Sequence, residues 1–418
     1  MTVPRLLAII GSGETAPTMT SVHAELFDRA GKDARAVVLD TPFGFQENAD
    51  DIATRTVAYF RDSVGHRVQI ASFRDAQTAA ALEYERMCAL IGEAGWVFAG
   101  PGSPTYAIRQ WRGTRVPGLL TEKLDGGGVV VFSSAAAVGL GEVALPVYEI
   151  YKVGAAPAWV PGLDLMRHTG LRAAVIPHYN NAEGGTHDTR YCYMGERRLR
   201  VLEAALPDGC GILGVDEHTA CIIDVESATL TVRGRGRVTW RRDGHERHWQ
   251  APEVVSLDEV VSALPAHADP APIPQPEAPL QPSSAGPFMD EVNNQHDQAT
   301  AALAARDPDG VAAAILAMET AVHEWSRDTL ESDEPDRARE VLRELVVRLA
   351  ELARAGAVTP TEHVTPLVDA LLSLRERARS HGRFADADAL RDALGAAGVA
   401  VRDTPQGSTW ELEAAQQG

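Results

Sequence analysis

The sequence has few cysteines, almost no lysine and no long apolar run. Four cysteines occur in 418 residues, and the absence of a C-x-x-C pair favours reduced thiols over a disulfide framework. Lysine occurs only at Lys32, Lys123 and Lys152, so arginine supplies most of the positive charge. No apolar run has the length of a membrane span, and the chain begins without a secretion signal. These absences predict a soluble cytoplasmic protein with no membrane partner.

Charge and length restrict the function further. The formal net charge is −19, which argues against broad, non-specific affinity for nucleic acid. The length is sufficient for two or three domains. One boundary is evident, because residues 265–287 contain eight prolines and such a segment cannot form a packed element. We therefore expect a first domain over residues 1–262, a linker over 263–287 and a second domain over 288–418.

The two domains differ in their patterns of apolar residues. Short apolar strands alternate with amphipathic segments as far as residue 176, which predicts an α/β domain with a doubly wound, mostly parallel sheet. Residues 220–249 favour antiparallel edge strands that complete this sheet. After the linker, residues 336–355 place apolar side chains on one helical face, and four further segments also favour helices. The second domain is therefore expected to be a helical bundle with a small β element near residues 399–410.

Residues 129–138 (VVVFSSAAAV) have the pattern of a nucleophile elbow. An apolar strand leads to Ser134, and small residues that can start a helix follow it. Such a turn exposes a serine beside helix N-terminal amides, which stabilise an oxyanion. His178 follows a second apolar strand and is placed to act as the base. The alternative is that Ser133 and Ser134 only cap a helix, and that His178 lies in an ordinary loop.

Loops that contain glycine follow three other predicted strands: GSGE at 11–14, TPFG at 41–44 and GPGSPT at 100–105. Because the carboxyl ends of parallel strands meet at one edge of a sheet, these loops are expected beside Ser134. GSGET has the spacing of neither a dinucleotide fingerprint nor a phosphate-binding loop, so no cofactor is predicted. The short run Asp216-Glu217-His218 lacks a second ligand cluster, so no metal is predicted either.

Over residues 6–249 the chain resembles the serine peptidase family of peptidase E and cyanophycinase, which has the class I glutamine amidotransferase-like fold. The resemblance rests on GSGET, FAGPGSPTY, FSSAAAVG, IPHYNN and GVDEHTACIID. It implies that Ser134 is the nucleophile and that His178 is its base. It also implies that Gly102 and Ala135 supply the oxyanion amides.

Two further sets of residues are candidates for this site. The third member of the triad is either Glu217, in GVDEHTA, or Glu149, in PVYEIY. Glu217 is favoured, because a segment before a strand can return its carboxylate toward the histidine. Asn181 and Arg190 are candidates for substrate binding, and the alternative for Arg190 is that it braces its own loop with Asp188.

The sequence departs from this family at the elbow. The family elbow reads G-x-S-A-G-A, whereas Phe132 and Ala136 stand at its two glycine positions. Those glycines relieve crowding at a strained turn, so a silenced, ligand-binding relative is the alternative to a working hydrolase. Glutaminase chemistry needs a cysteine where Ser134 stands, and ammonia transfer from glutamine is therefore not expected.

Residues 375–410 resemble the carboxyl-terminal end of cysteinyl-tRNA synthetases. The resemblance rests on AR…F..AD.LRD.L…G followed by DTPQG.TW, and the helices from about residue 289 resemble the helical bundle of the same enzymes. No HIGH-like or KMSKS-like ATP signature and no set of zinc ligands occurs in the sequence, so the chain is not expected to activate cysteine. The resemblance implies a module that docks tRNA or a synthetase-like partner.

Arginine is the expected contact to tRNA in this module. The candidates are Arg375, Arg379, Arg383 and Arg391, whose charge suits a phosphate backbone. Residues 375–402 contain six arginines and four acidic residues, although residues 288–418 as a whole contain 13 arginines and 24 acidic residues. The alternative is that these arginines form the charged, solvated face of a structural bundle.

Two functions of different classes therefore compete. The first is a serine hydrolase that cleaves a small peptide, isopeptide or aminoacyl bond through Ser134, His178 and Glu217. The second is a non-catalytic adaptor that binds tRNA or protein and whose α/β domain senses a ligand. The elbow separates them, because only the first function depends on Ser134.

Overall fold

The computed structural model describes residues 3–182, 187–264, 286–326, 334–356, 360–404 and 407–412. Most of the predicted linker, residues 265–285, lies outside these ranges. The chain divides into two compact units, of which the first is Met1–Asp290 with Ala321–Pro335 and the second is Glu291–Thr320 with Asp336–Gly418. Within the described ranges, the helices are too short or too polar to cross a lipid bilayer.

The first unit contains a main sheet of eight strands, in the order β14-β11-β10-β1-β5-β4-β2-β3. Their bounds are β1 Arg5–Ile10, β2 Ala36–Leu39, β3 Gln69–Ala71, β4 Trp96–Ala99, β5 Gly128–Ser133, β10 Thr219–Asp224, β11 Thr229–Gly234 and β14 Val254–Ser256. The five strands from β1 to β3 in this order are parallel, and β10, β11 and β14 continue the sheet with antiparallel pairing. The predicted mostly parallel sheet is thus confirmed.

A second sheet of four strands has the order β13-β12-β9-β8. Its strands are β8 Ala173–Ile176, β9 Gly211–Val215, β12 Arg237–Arg242 and β13 His245–Gln250. We expected β8, β12 and β13 to belong to the main sheet, and β9 was not predicted. They separate because residues 216–218 turn the chain between β9 and β10, with His218 at a φ of +52°. The remaining strands of the first unit are the two-residue pair β6 Val143–Ala144 and β7 Val160–Pro161.

Helices cover both faces of the main sheet. They are α1 Thr20–Ala30, α2 Ala49–Tyr59, α3 Ala81–Glu93, α4 Pro104–Trp111, α5 Val116–Gly126, α6 Ser134–Val138, α7 Val147–Tyr151, α8 Gly195–Glu203 and α9 Leu257–Ser262. Alternate residues of β1 enter two different apolar clusters: Leu7 and Ile9 join one, whereas Leu6, Ala8 and Ile10 join the other. This two-sided burial explains why the parallel strands are apolar without alternation.

The carboxyl-terminal part is helical and closes with a hairpin. Its elements are α10 Pro287–Ala304, α11 Pro308–Trp325, α12 Glu334–Ala355, α13 Pro360–Ser380, α14 Phe384–Ala396, β15 Val399–Thr404 and β16 Gly407–Leu412. An apolar cluster of Val368, Leu372, Leu394, Val399 and Val401 joins α13, α14 and β15. The predicted helical region with a small β element is confirmed.

Candidate active site

Ser134 stands where β5 ends and α6 begins. Its backbone φ is +48°, a value that residues with a side chain seldom adopt, because the Cβ crowds the backbone. The chain therefore turns sharply at Ser134 and directs its side chain away from the strand, as a nucleophile elbow does. The Oγ atom of Ser134 lies 3.0 Å from Nε2 of His178.

The two bulkier residues of the elbow fit without a glycine. Phe132 is fully buried and its ring packs against Trp111, with 5.7 Å between the ring centroids. Ala136 is buried, and its amide donates to the carbonyl of Gly100 at 3.2 Å. The positive φ falls on Ser134 itself, so the residues at the two glycine positions do not have to adopt it. The departures from the family elbow thus leave its geometry in place.

His178 follows β8 of the second sheet and also has a positive φ, of +48°. Its backbone carbonyl accepts from the amide of Cys192 at 3.1 Å, and the next amide, of Tyr179, donates to Val215 at 3.1 Å. These bonds fix the direction of the imidazole. Nδ1 of His178 lies 2.8 Å from Oε1 of Glu217. The ring is thus oriented on one side by a carboxylate and faces a hydroxyl on the other.

Glu217 lies in the turn between β9 and β10. Its amide donates to Oδ1 of Asn180 at 2.8 Å, and its Oε1 atom also accepts from the Asn181 amide at 3.3 Å. Burial raises the pKa of the Glu217 carboxyl, but the hydrogen bonds and charge of His178, with the bond from Asn181, hold that pKa below its ordinary value. Glu217 is therefore ionised at neutral pH, as the partner of an imidazolium must be.

Of the two candidate carboxylates, the structure brings Glu217 to His178. Glu149, on α7, instead accepts a hydrogen bond from Thr105 at 2.7 Å. Glu149 and Thr105 line a second, more open depression together with Tyr106 and Arg109. Glu149 is thus close to the site but turned toward another side chain.

The two candidates for substrate binding, Asn181 and Arg190, each contact a neighbouring side chain. Asn181 is fully buried, and its side-chain amide donates to Glu217. Arg190 makes two hydrogen bonds to Asp188, at 2.9 and 3.0 Å, which raise the pKa of its guanidinium. This geometry matches the bracing role that the sequence left open for Arg190. Neither residue is among the described residues that line the cavity at Ser134.

Gly102 and Ala135 line the same cavity as Ser134 and His178. Gly102 has a φ of +138°, and a Cβ at this position would lie 2.0 Å from the carbonyl oxygen of Pro42. Only glycine fits there, so the close approach of two loops explains this residue. The Gly102 carbonyl accepts from the hydroxyl of Tyr148 at 3.2 Å. The loop that contains Gly102 thus contacts Pro42 on one side and Tyr148 on the other.

A buried carboxylate that the sequence did not indicate lies beneath the elbow. Glu14, in the GSGET segment after β1, is fully buried, and its Oε2 atom accepts from the hydroxyl of Ser133 at 2.7 Å. The two serines of the elbow therefore point to different partners. The glycines of GSGET drew attention to the loop, but no sequence spacing indicates that Glu14 lies under residue 133.

The other titratable residues of the turn at 216–218 do not form a metal site. Burial raises the pKa of Asp216 to about 6 and lowers that of His218 to about 4. Nδ1 of His218 lies 2.9 Å from the hydroxyl of Thr18. Across the part of the chain that the structure describes, no group of three or more histidine, cysteine or acidic side chains is arranged to hold a metal ion.

The four predicted tRNA-contacting arginines occupy unlike positions. Arg375 is 3% exposed and binds Asp403 through two hydrogen bonds, at 2.7 and 2.8 Å, and Ser408 through a third. Arg379 also reaches Asp403, at 3.0 Å, but remains half exposed. Arg383 and Arg391 are exposed, and Arg383 pairs with Asp386 at 3.3 Å on the surface. The buried Arg375 thus supports the fold of the module, and the other three present charge to solvent.

Comparison with known proteins separates the two parts of the chain. Residues 361–410 match the family model described as the cysteinyl-tRNA ligase anticodon binding domain. The cysteine–tRNA ligase of Salinibacter ruber is 51% identical over 49 residues, which are 12% of this chain and 10% of the ligase. That of Streptomyces coelicolor is 35% identical over 114 residues, 25% of this chain and 18% of the ligase. The chain therefore spans less than a fifth of these relatives.

The first unit resembles a solved structure instead. A peptidase from an acI-B1 Actinobacterium superimposes with a TM-score of 0.50 and 19% sequence identity. The match covers 61% of this chain and 97% of the peptidase. At this identity the likeness establishes the fold alone. The chain thus joins an α/β unit of peptidase-like fold to a region that matches the anticodon binding domain of cysteinyl-tRNA ligases.

Proposed function

We propose that the protein is a serine hydrolase that cleaves a small peptide, isopeptide or aminoacyl bond. One observation carries the proposal: a continuous chain of hydrogen-bonding distances runs from Ser134 through His178 to Glu217. The serine stands on a strained turn, and all three residues come from different elements of the fold. A serine that only caps a helix and a histidine in an ordinary loop would not require these contacts.

The reaction follows from the positions of these atoms. Oγ of Ser134 attacks the carbonyl carbon while Nε2 of His178 takes the hydroxyl proton, and Glu217 stabilises the imidazolium that forms. The amides of Gly102 and Ala135 hold the negative oxygen of the tetrahedral intermediate. His178 then gives its proton to the leaving group, and an acyl enzyme remains. Water then attacks the acyl enzyme by the same steps and releases the carboxylic acid.

A docking role for the carboxyl-terminal module belongs to the same proposal. The match over residues 361–410 supports tRNA as its partner. Arg391 is exposed, and the surface ion pairs of Arg379 and Arg383 are weak enough for phosphate oxygens to compete for them, whereas Arg375 is buried. The module would then bring tRNA, or a protein that handles it, to the hydrolase.

Covalent labelling tests the nucleophile. We expect a fluorophosphonate probe to form one adduct per chain, located at Ser134 by mass spectrometry, and to lose it in Ser134→Ala. The exposed Ser227 provides a matched control, since Ser227→Ala leaves the site untouched. Absence of an adduct at Ser134 with both a small and a large probe, in protein shown to be folded by circular dichroism, would contradict the proposal.

A further inference from the structure

The cavity at Ser134 differs in charge from the rest of the chain. It has a volume of about 570 Å³, within the range of small-molecule sites. Its described lining includes Arg55 and Lys152 but no aspartate or glutamate. The whole sequence contains 58 acidic residues against 39 basic ones. A cavity without carboxylates in so acidic a chain favours a substrate that carries negative charge.

The two cations are not equivalent. Lys152, one of three lysines in the sequence, directly follows α7 and is exposed, with Nζ 5.1 Å from the centre of the Tyr151 ring. Arg55, on α2, pairs with Asp51 at 3.0 Å, and both side chains of this pair are exposed. The carboxylate of Asp51 thus offsets the charge of Arg55 before any substrate binds. Lys152 is thus the principal cation at the mouth of the cavity.

Aromatic side chains form the wall next to Lys152. The rings of Tyr151 and Tyr193 stack with 4.9 Å between their centroids and 28° between their planes. Tyr148 is 42% exposed, and its hydroxyl reaches the oxyanion loop at Gly102. All three tyrosines line the cavity. Tyr148 is the most exposed of the three, whereas Tyr151 and Tyr193 are half-buried. Aromatic rings beside a cation are an arrangement on which proteins stack nucleobases and hold the adjoining phosphate.

We infer that the substrate is the aminoacyl ester of a nucleotide, with its phosphate at Lys152 and its base on the tyrosine wall. This inference rests on the proposed hydrolase function and specifies its substrate class. An acidic peptide would satisfy the cations but would not require three tyrosines. The match of residues 361–410 to a domain of tRNA ligases is independent support for an RNA-derived substrate.

Hydrolysis of this substrate needs water as its only co-reactant. Ser134 attacks the ester carbonyl, the bond between the carbonyl carbon and the ribose oxygen breaks, and His178 transfers its proton to that oxygen. The nucleotide leaves with a free hydroxyl. Water then attacks the acyl enzyme, loses a proton to His178 and releases the amino acid, while the proton returns to Ser134. No oxidant, reductant or metal takes part.

Three cysteinyl esters test the inference on the full-length protein: the 3′-ester of adenosine 5′-monophosphate, the 3′-ester of adenosine, and the methyl ester. Rates are corrected with Ser134→Ala, because such esters also hydrolyse spontaneously. We expect kcat/KM to fall at least tenfold when the phosphate is removed and to fall again when the nucleoside is removed. Most of the first loss should appear in KM, since the phosphate lies away from the reacting carbonyl.

Variants identify the residues involved. Lys152→Gln should abolish the preference for the phosphorylated ester, and Lys152→Arg should restore part of it. Tyr151→Leu should reduce the preference for the nucleoside over the methyl ester, whereas Tyr151→Phe should retain it. Lys32, which is exposed after α1, provides the matched control, and Lys32→Gln should change neither preference.

The outcomes separate this inference from the function on which it rests. Equal kcat/KM values for the three esters, with Ser134 still labelled by the fluorophosphonate, would overturn the substrate class and leave the hydrolase standing. Tenfold better cleavage of acidic dipeptides than of the nucleotide ester would also overturn the substrate class and leave the hydrolase standing. Failure of both labelling and ester hydrolysis would overturn the two proposals together.

Discussion

The α/β unit and residues 361–410 inform us about function in opposite ways. The α/β unit is only 19% identical to the solved peptidase that it resembles, yet its Ser134, His178 and Glu217 form a continuous arrangement. The carboxyl-terminal region is 51% identical to a tRNA ligase over 49 residues, yet part of its arginine cluster faces inward. High identity therefore establishes kinship of a region, whereas only geometry shows which of its side chains are available for chemistry.

Buried arginines make the same point in both parts. Arg241, on β12, is 1% exposed and makes hydrogen bonds to Glu196, Glu203 and Glu246. Arg375 is satisfied in a similar way by Asp403 and Ser408. In such networks the positive charge of the arginine is already paired, although the sequence pattern shows only the charge. Charge clusters in a sequence must therefore be separated into satisfied and available groups before they are used to infer a partner.

The largest effect is expected at Glu217, the proposed acid of the triad. We expect Glu217→Gln to lower kcat/KM for the best ester about 10²–10⁴-fold, because the amide cannot stabilise the imidazolium and favours the wrong tautomer. Glu149→Gln is the matched control and should change it less than about threefold. Equal losses in the two variants would show that proximity to the cavity, rather than the contact with His178, decides the effect.

The next largest effect is expected for Arg375 and its partner Asp403 in the second unit. Asp403→Asn leaves the guanidinium of Arg375 buried without its carboxylate, so we expect a loss of about 2 kcal/mol of stability. Hydrogen exchange over α13 and β15 measures the loss. Arg379→Gln removes only a half-exposed partner of the same carboxylate and should cost less than about 1 kcal/mol.

The pH dependence of that pair has a defined sign. The hydrogen bonds from Arg375 and Ser408 hold the pKa of Asp403 well below its usual range. The unfolded chain takes up the proton first as the pH falls, so the pair stabilises the fold above about pH 4 and loses that contribution below it. In Asp403→Asn, hydrogen exchange over α13 and β15 should increase less on acidification than it does in the wild-type protein. An unchanged acid response would show that another carboxyl controls it.

A smaller effect is expected at the exposed arginines. Replacing Arg383 and Arg391 together by alanine should weaken tRNA binding about three- to tenfold and lower the salt dependence by about two phosphate contacts. Arg61→Ala, at an exposed arginine of the first unit, is the control for lost net charge. If that control weakens binding as much, the module has no specific role in docking.

The smallest effect is expected at the elbow. Ala136 already fits its position, so Ala136→Gly should change kcat/KM less than about threefold and destabilise the fold by about 1 kcal/mol, as glycine does in a helix. Steady-state kinetics and chemical denaturation measure the two quantities. A large gain in activity would instead reveal crowding at the turn that the hydrogen bond from Ala136 to Gly100 does not show.

The sequence predicted the elements that are fixed by local patterns. The parallel strands were visible as apolar runs, and Ser134 and His178 followed from their places at strand ends. The second sheet was not foreseen, because residues 173–176 are as apolar as any strand of the main sheet. Its separation depends on the turn at residues 216–218, which no period of apolar residues encodes.

Side-chain partners across the fold were equally hidden. Asn181 holds Glu217 from 36 residues away along the chain, and Glu14 reaches Ser133 across 119 residues. Neither spacing has a sequence signature, because these contacts depend on how strands are ordered in the sheets. In the cavity, by contrast, Tyr148, Tyr151 and Lys152 are neighbours in the sequence, and only Tyr193 and Arg55 are brought to them by the fold.

The turn at residues 216–218 also has a consequence for the timing of synthesis. The proposed nucleophile comes from β5 and its base follows β8, but Glu217 is held in place only when β9 and β10 have entered different sheets. A nascent chain that has emerged from the ribosome as far as residue 200 contains the serine and the histidine without their acid. The proposed activity is therefore expected to appear only after both sheets have closed around that turn.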